Sequence, residues 1–141
     1  MTIESTHENE MVVRRFLTAL ETLNVPTISD LVTDDIRWKV PGTLAISGNY
    51  DGKSAFVDGF LAGAAALFQA GSLAFDIRHI TAVGDVVIAE YVGTGTSAST
   101  GAAYRNEYCV YFGLNNGRIG VVREYLDTAH VAEVLLSPAP A

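Results

Sequence analysis

The sequence predicts an α+β domain in which three N-terminal helices pack on the concave face of a curved, mostly antiparallel sheet and a short helix follows at the C-terminus. Three observations predict this class. Apolar residues recur at helical intervals in the first half of the chain, and beyond Gly71 they alternate with polar ones. Gly84-Asp85 and Asn116-Gly117 are two-residue hairpin signals, which join successive strands into a meander. We expect a cone with one open end.

Length and composition favour one well-filled globule. A chain of 141 residues is typical of one domain, and we expect residues 1–141 to form it, with an ordered core of about residues 8–136. Because 49% of the residues are hydrophobic and only 18% are charged, a disordered chain is disfavoured. The polar, acidic N-terminus and the lack of a long apolar run predict a cytoplasmic protein that does not bind membranes.

Charge and ligand spacing exclude several classes of function. The net charge is −7 and the basic residues are scattered, so nucleic acid is not expected as a partner. Cys109 is the only cysteine, and we expect it to be a small apolar filler. The three histidines share no metal-ligand spacing, so neither a metal nor a cofactor is predicted. Gly93-x-Gly95 imitates a dinucleotide fingerprint, but a strand follows it instead of a helix.

Helices are predicted from period and caps. Ser5 and Glu8 have capping-box spacing, and the apolar residues that follow have helical spacing: Val13, Phe16, Leu17, Leu20 and Leu23. Pro26 suits the first turn of a short second helix over 27–32. A third helix, apolar nearly all round, is predicted over 54–68. Thr128 is the expected cap of a last helix that ends near Leu136, before a frayed tail over 137–141.

Strands are predicted where the period changes to two. Ile36, Trp38 and Val40 alternate with basic residues and stop at Pro41-Gly42, before a loop that runs to Gly52. The meander is predicted over 72–82, 86–96, 103–113 and 118–127. The link 94–101, rich in Gly, Ser and Thr, predicts a flexible hairpin tip.

Alternation divides the strands into two faces, provided that no bulge shifts the register. The inner face is apolar and aromatic and holds one carboxylate, Glu124. Its members are Trp38, Val40, Phe75, Ile77, His79, Ala89, Tyr91, Asn106, Tyr108, Val110, Val122, Glu124 and Leu126. The outer face collects the other charged residues.

A carboxylate among aromatic and aliphatic side chains loses hydration, which raises its pKa towards the range of a general base. We therefore predict Glu124, Tyr91 and His79 as catalytic residues: the base, a donor to the substrate oxygen, and a proton shuttle. We expect a small hydrophobic ligand to be held by the remaining candidates: Leu20, Trp38, Val40, Phe60, Asn106, Tyr108, Val122 and Leu126.

Two other interpretations stay open, because buried tyrosines often only anchor a core and a lone inner glutamate often pairs for structure. The domain could bind a small molecule without converting it. It could also be an interaction module whose outer sheet face forms a homodimer through Cys109, Tyr111, Val121 and Tyr125.

Several motifs resemble those of a known family. Tyr104–Phe112, Asn116–Ile119 and Arg123–Thr128 look like the C-terminal signature of SnoaL-like proteins in the nuclear transport factor 2-like superfamily. Trp38–Gly42 with Gly48–Lys53 resembles the pocket-rim loop of that superfamily. The resemblance spans about residues 8–136 and implies a homodimer, whereas the reaction varies because one scaffold hosts isomerases, cyclases, hydrolases and non-enzymes.

The resemblance also implies an acid/base role for Glu124. Limonene epoxide hydrolases have a catalytic Asp, and phenazine-pathway condensing proteins a Glu, at the matching position of the last strand. Epoxide hydrolases have Arg and a second Asp where this chain has Tyr91 and Gly93, and ketosteroid isomerases have their base where Val40 stands. What remains is a cofactor-free cyclisation, condensation or isomerisation of a small carbonyl or polyketide-like substrate.

Overall fold

The computed structural model describes residues 3–138 of the chain. Helices α1 (Ile3–Glu21) and α2 (Val25–Leu31) come first, followed by strands β1 (Val32–Val40) and β2 (Gly48–Asp51). Helix α3 begins as a π-helical stretch, Ala55–Leu61, and continues as an α-helical turn, Ala62–Ala65. The remaining elements are β3 (Ala74–Val83), β4 (Val86–Thr96), β5 (Ala103–Asn115), β6 (Arg118–Leu126) and α4 (Thr128–Val134). The α+β class predicted from the sequence is confirmed.

The six strands form one curved sheet in the order β2-β1-β6-β5-β4-β3. Every neighbouring pair is antiparallel except β1 and β6, which run parallel. Strands β3 to β6 form the predicted meander, because the alternating pattern and both hairpin turns agree there. Strand β2 is missing from the prediction, since Gly-Asn-Tyr-Asp lacks apolar alternation and pairs only along the edge of β1.

Helix α1 packs across the sheet and is attached to it by two polar contacts. Its buried apolar side chains include Val13 and Phe16, which are fully buried. The Asn9 amide donates to the Gly84 carbonyl oxygen at 3.1 Å, and Glu21 accepts from the Phe75 backbone N–H at 2.7 Å. The Glu21 contact satisfies an N–H of β3, which is an edge strand. The helix begins at Ile3 rather than at the predicted Ser5 cap, whose side chain lies outside the described residues.

The short helices α2 and α4 are each capped by the residue before them. Asn24 accepts from the Thr27 backbone N–H, and Asp127 accepts from the His130 backbone N–H at 3.2 Å. The prediction of Thr128 as the cap of α4 is therefore wrong by one residue. The predicted tail over 137–141 lies partly outside the described residues.

The link between β4 and β5 is bonded to α4 rather than free. The Ser99 hydroxyl donates to the Ser137 carbonyl oxygen at 3.0 Å, and the Thr100 hydroxyl donates to that of Val134 at 3.2 Å. Ser97 is fully buried and accepts from the Thr100 backbone N–H. These hydroxyls bond one carbonyl at the end of α4, which the helix itself leaves unpaired, and one just beyond it, so the predicted hairpin tip is attached to the C-terminal segment.

A bulge in β3 overturns one predicted face. The pairing runs from Ile77 opposite Tyr91 to His79 opposite Glu90, so Arg78 is an extra residue in the strand. His79 is consequently exposed, and Ile80 takes the inward position.

None of the helices within residues 3–138 has the length and apolar character that a membrane span requires.

Candidate active site

An apolar cavity of about 100 Å³ lies between the helices and the inner face of the sheet. It is partly open to solvent. Its wall is formed by residues of most elements of the fold, namely helices α1, α3 and α4 and strands β1, β3, β4, β5 and β6. Its lining residues are Leu20, Leu23, Trp38, Ile46, Phe60, Leu61, Ala64, Ala65, Leu67, Phe68, Leu73, Phe75, Tyr91, Tyr104, Tyr108, Glu124, Leu126, Val131 and Leu135.

Strand register brings Glu124 next to Trp38. Trp38 lies opposite Val122 in the parallel pair β1 and β6, so Glu124 is two residues further along the same face. The indole N–H of Trp38 donates to Oε2 of Glu124 at 3.2 Å. The indole is itself held by the rings of Phe56 and Phe60, with centroids 5.0 Å from its own. The carboxylate is thus oriented by a rigid aromatic partner.

Burial makes Glu124 a weaker acid than an ordinary glutamate. Loss of hydration raises its pKa from 4.5 to about 7, although the hydrogen bond from Trp38 acts in the opposite direction. Part of the accessible surface of Glu124 faces the cavity, which it lines. Among the described residues it is the only carboxylate in that lining. A group with this pKa both accepts and returns a proton near neutral pH.

Three tyrosines of the neighbouring strands β4 and β5 line the cavity beside Glu124. Tyr91 and Tyr108 face each other across β4 and β5, and their rings stack with centroids 5.0 Å apart. The hydroxyls of Tyr104 and Tyr108 are 2.6 Å apart and share a hydrogen bond. The Asn106 amide N–H donates to the Tyr104 hydroxyl oxygen at 3.0 Å. This chain of bonds polarises the phenols as hydrogen-bond donors.

The tyrosines remain protonated over the whole physiological range. Burial raises the pKa of the Tyr104 hydroxyl to about 12, although its hydrogen bonds with Tyr108 and Asn106 act to lower that pKa. Burial, and then the nearby charge of Glu124, raises the pKa of Tyr91 well above its usual value. Burial also raises the pKa of Tyr108 well above that value, with the charges of Tyr104 and Glu124 adding to it. These groups can therefore donate hydrogen bonds to a ligand oxygen.

Two glycines of β4 make room for the rings. A Cβ atom on Gly93 would lie 2.7 Å from Cε1 of Tyr108, and one on Gly95 would lie 2.8 Å from Cδ1 of Phe68. Both distances are shorter than real carbon contacts allow. The Gly93-x-Gly95 pattern is thus explained by ring packing against the strand, which agrees with the rejection of a dinucleotide fingerprint.

The family model described as the SnoaL-like domain matches residues 13–122. The chain belongs to the SnoaL-like domain family. No curated protein sequence matches it significantly.

Solved structures share the fold of this SnoaL-like domain. Bal32a, from a soil-derived mobile gene cassette, is 23% identical with a TM-score of 0.82, and the match covers 92% of this chain and 98% of that one. A protein of Jannaschia sp. CCS1 described as a SnoaL-like polyketide cyclase is 17% identical, with a TM-score of 0.81 and 94% of each chain covered. TerC, co-crystallised with polyporic acid, is 18% identical, with a TM-score of 0.80 and coverage of 92% and 99%.

Most of the predicted site residues of the SnoaL-like domain converge on one cavity. Its lining includes seven of them: Leu20, Trp38, Phe60, Tyr91, Tyr108, Glu124 and Leu126. Four others do not line it. His79 is on the exposed side of β3, because of the bulge. Val40 and Val122 are buried in the core behind the cavity wall, with exposed fractions of 2% and 0%.

Asn106, the fourth of these residues, is structural. Its amide N–H donates to the Tyr104 hydroxyl and to the Asp127 carbonyl, and its Oδ1 accepts from the Asp127 backbone N–H at 3.2 Å. These contacts use its donor and acceptor groups and join β5 to the start of α4. Its placement as a direct ligand contact is therefore wrong. Its contribution to the site is through Tyr104.

Tyr104 is the principal residue that the sequence predictions missed. It is 1% exposed, lines the cavity, and bonds to Tyr108. Strand alternation identifies it, because positions 104, 106 and 108 of β5 are two residues apart and their side chains therefore lie on the same face of the sheet. Within residues 3–138, no cluster of three or more His, Cys, Asp or Glu side chains could hold a metal ion.

Proposed function

We propose that this SnoaL-like domain is an acid/base enzyme that moves a proton on a small hydrophobic carbonyl compound and uses no metal or cofactor. Glu124 is the base, and Tyr91 and Tyr108 hold the substrate oxygen. The observation that carries the proposal is the placement of one carboxylate, with a pKa of about 7, in an apolar cavity that is also lined by three protonated phenols. The SnoaL-like domain of Jannaschia, described as a polyketide cyclase, and TerC with polyporic acid add support from fold relatives.

The proposed step begins with ionised Glu124 and a C–H bond next to the substrate carbonyl. The carboxylate takes the proton, and the electron pair of the C–H bond moves onto the carbonyl oxygen to form an enolate. Phenol hydroxyls stabilise that oxygen, since preorganised donors are most effective where charge develops. Protonated Glu124 then returns the proton to another atom, which isomerises the substrate. In a cyclisation, the enolate carbon instead attacks a second carbonyl carbon of the same molecule, the π electron pair of that carbonyl moves onto its oxygen, and protonated Glu124 gives its proton to that oxygen.

Exchange of protons for deuterium on carbon tests this step without knowledge of the natural substrate. Acetophenone and cyclohexanone in D2O are followed by NMR with the wild-type protein, Glu124→Gln and a matched control, Glu107→Gln. Glu107 is exposed on β5, away from the cavity. We expect Glu124→Gln to lower the exchange rate by about a hundredfold or more, the usual contribution of a general base, and Glu107→Gln to leave it unchanged. Equal exchange by the wild type and Glu124→Gln would contradict the assignment.

A binding protein without catalysis is the second candidate, and the apolar character of the cavity lining favours it. Glu124 would then only accept a hydrogen bond. Tight binding of ketones by the wild type, together with no deuterium exchange at all, would establish this alternative.

We also propose a homodimer through the outer sheet face, where Tyr125 is 48% exposed and Cys109 is exposed. Large exposed apolar side chains on a sheet face favour burial against a partner. Sedimentation of the wild type and of Tyr125→Glu tests this, with a monomer expected only for the variant. The cytoplasmic location stays a prediction.

A further inference from the structure

Within the part of the chain that the structure describes, the cavity lining has three hydrogen-bonding positions that no protein group fills. Tyr91 is 5% exposed and lines the cavity, yet its hydroxyl makes no hydrogen bond within the part of the chain that the structure describes. Glu124 uses Oε2 for the indole N–H, and its second oxygen has no partner among residues 3–138. Neither oxygen is fully buried, since Thr33 Oγ1 is the one buried and unpaired side-chain atom of the described residues, so a ligand or water in the cavity can bond to each of them.

The third unfilled hydrogen-bonding position belongs to the hydroxyl groups of Tyr104 and Tyr108, which are bonded to each other. Two hydrogens belong to Tyr104 and Tyr108, and only one of them lies in the bond between their oxygens. Asn106 donates to the Tyr104 oxygen, so it supplies a further hydrogen to the pair and takes none away. One hydroxyl hydrogen therefore remains for a ligand, from tyrosines that both line the cavity. The cavity thus offers two donors, Tyr91 and this pair, and one acceptor, Glu124.

Charge limits the ligand further. No Lys, Arg or His of the described chain lines the cavity, whereas Glu124 does. A carboxylate or phosphate group inside would lose its hydration without gaining a cation, and it would meet the charge of Glu124. Anionic molecules are therefore disfavoured.

Size and wall chemistry favour a single ring. The cavity has a volume of about 100 Å³, and a cavity on the order of 150 Å³ in another protein binds benzene. Because this cavity is partly open, short substituents can extend towards its mouth. Besides the indole of Trp38, six aromatic side chains line the cavity: Phe60, Phe68, Phe75, Tyr91, Tyr104 and Tyr108. Flat rings pack well against such a wall.

We propose that the occupant is an uncharged, one-ring hydroxycarbonyl compound. In this binding mode its carbonyl oxygen accepts from Tyr91 and the Tyr104–Tyr108 pair, and its hydroxyl donates to the free oxygen of Glu124. For the proposed proton transfer, the C–H bond next to the carbonyl takes the place of the hydroxyl at that oxygen. The inference rests on the proposed function, since it uses the same cavity and names the class of substrate. A site built to bond both groups rejects analogues that lack either one, because its own polar groups are then left unpaired.

Calorimetry with five probes tests this class. Meta- and para-hydroxyacetophenone carry both groups, para-ethylphenol lacks the carbonyl, acetophenone lacks the hydroxyl, and para-hydroxybenzoate carries a negative charge. We expect the better hydroxyacetophenone isomer to bind about tenfold more tightly than para-ethylphenol and acetophenone, and about a hundredfold more tightly than the benzoate. The proposal would be overturned if both hydroxyacetophenone isomers bound no more tightly than para-ethylphenol and acetophenone. It would also be overturned if para-hydroxybenzoate bound more tightly than the hydroxyacetophenones.

Two variants locate the carbonyl contact. Tyr91→Phe keeps the ring and removes the hydroxyl, so the preference for hydroxyacetophenone over para-ethylphenol is expected to fall severalfold. Tyr111→Phe is the matched control, because Tyr111 lies outside the cavity beneath the guanidinium of Arg123, 3.8 Å from its ring centroid. An unchanged preference in Tyr91→Phe, or an equal loss in Tyr111→Phe, would contradict the assigned contact.

The two proposals fail in different ways. The probe preference without any deuterium exchange would leave the ligand class standing and remove the catalytic role of Glu124. Exchange that depends on Glu124, in a protein that prefers the benzoate, would leave the acid/base function and overturn the ligand class.

Discussion

Glu124 and Asn106 are polar residues on adjacent strands, β6 and β5, and both come from the inner face of one sheet. Asn106 is 3% exposed and bonds to Tyr104 and to both backbone groups of Asp127. Glu124 has one bond, from Trp38, and its pKa is raised by lost hydration. The amide is satisfied by the fold, whereas the carboxylate is not.

This difference separates a polar residue whose hydrogen bonds are all made within the fold from one that keeps bonding capacity towards the cavity. A buried group with a full set of partners contributes to stability and fixes neighbouring elements. A buried group that is under-bonded destabilises the folded protein, and such groups persist where function requires them. The comparison therefore predicts opposite responses to mutation at the two positions.

The largest expected effect is the loss of stability in Asn106→Leu. This change removes the bond from Asn106 to Tyr104 and its bonds to both backbone groups of Asp127, and we expect the free energy of unfolding to fall by about 3 kcal/mol. Urea denaturation measures it, with Asn49→Leu on the exposed edge strand as the control. A loss in Asn106→Leu no greater than that of the control would show that the amide is not structural.

The next effect is a gain of stability in Glu124→Gln that depends on pH. The folded pKa of about 7 lies above the ordinary 4.5, so the folded state holds the proton more tightly. The stability linked to that proton is complete below pH 4.5 and is lost as the pH rises through 7. Glu124→Gln cannot ionise, so we expect it to gain about 2 kcal/mol over the wild type between pH 5 and pH 8.5, after allowance for partial exposure.

Urea denaturation at both pH values measures this gain, and the Glu107→Gln control is expected to show none. A difference between Glu124→Gln and the wild type that stays constant with pH would mean that Glu124 ionises as it does in water.

The smallest effect is expected from Gly93→Ala. The added Cβ would clash with the ring of Tyr108, which must shift, so we expect a loss of about 1 kcal/mol and weaker binding of hydroxyacetophenone. Gly63→Ala is the control, since a Cβ there meets nothing within 4 Å and lies in a helix that favours alanine. Full ligand affinity in Gly93→Ala would show that the position of the Tyr108 ring is unimportant.

Much of this fold was predictable because local patterns and tertiary packing agree. The meander has regular alternation and glycine turns, and Glu124 was identified as the one carboxylate on the inner face from parity alone. Parity failed at His79, because a bulge adds a residue without leaving a sign in the sequence. The alternation pattern also missed strand β2, because a short edge strand that pairs only with β1 needs no apolar residues at alternate positions.

The distinction between cavity and core was not predictable. Val40 and Val122 share the inner face with Trp38 and Glu124, yet they lie in the core and not in the cavity lining. Which inward residues meet a cavity depends on where α3 and α4 leave space, and alternation within strands carries no information about that. The full bonding of Asn106 likewise depends on the start of α4, 21 residues away in sequence from position 106.

The acidity of Glu124 tests the central claim most directly. A ¹³C NMR titration of the side-chain carboxyl carbons, with the signal of residue 124 assigned by its absence from Glu124→Gln, measures its pKa in the folded protein. We predict a midpoint of about 7, caused by burial against the aromatic wall. A midpoint near 4.5 would contradict the account, because the carboxyl would then be hydrated like one on the surface.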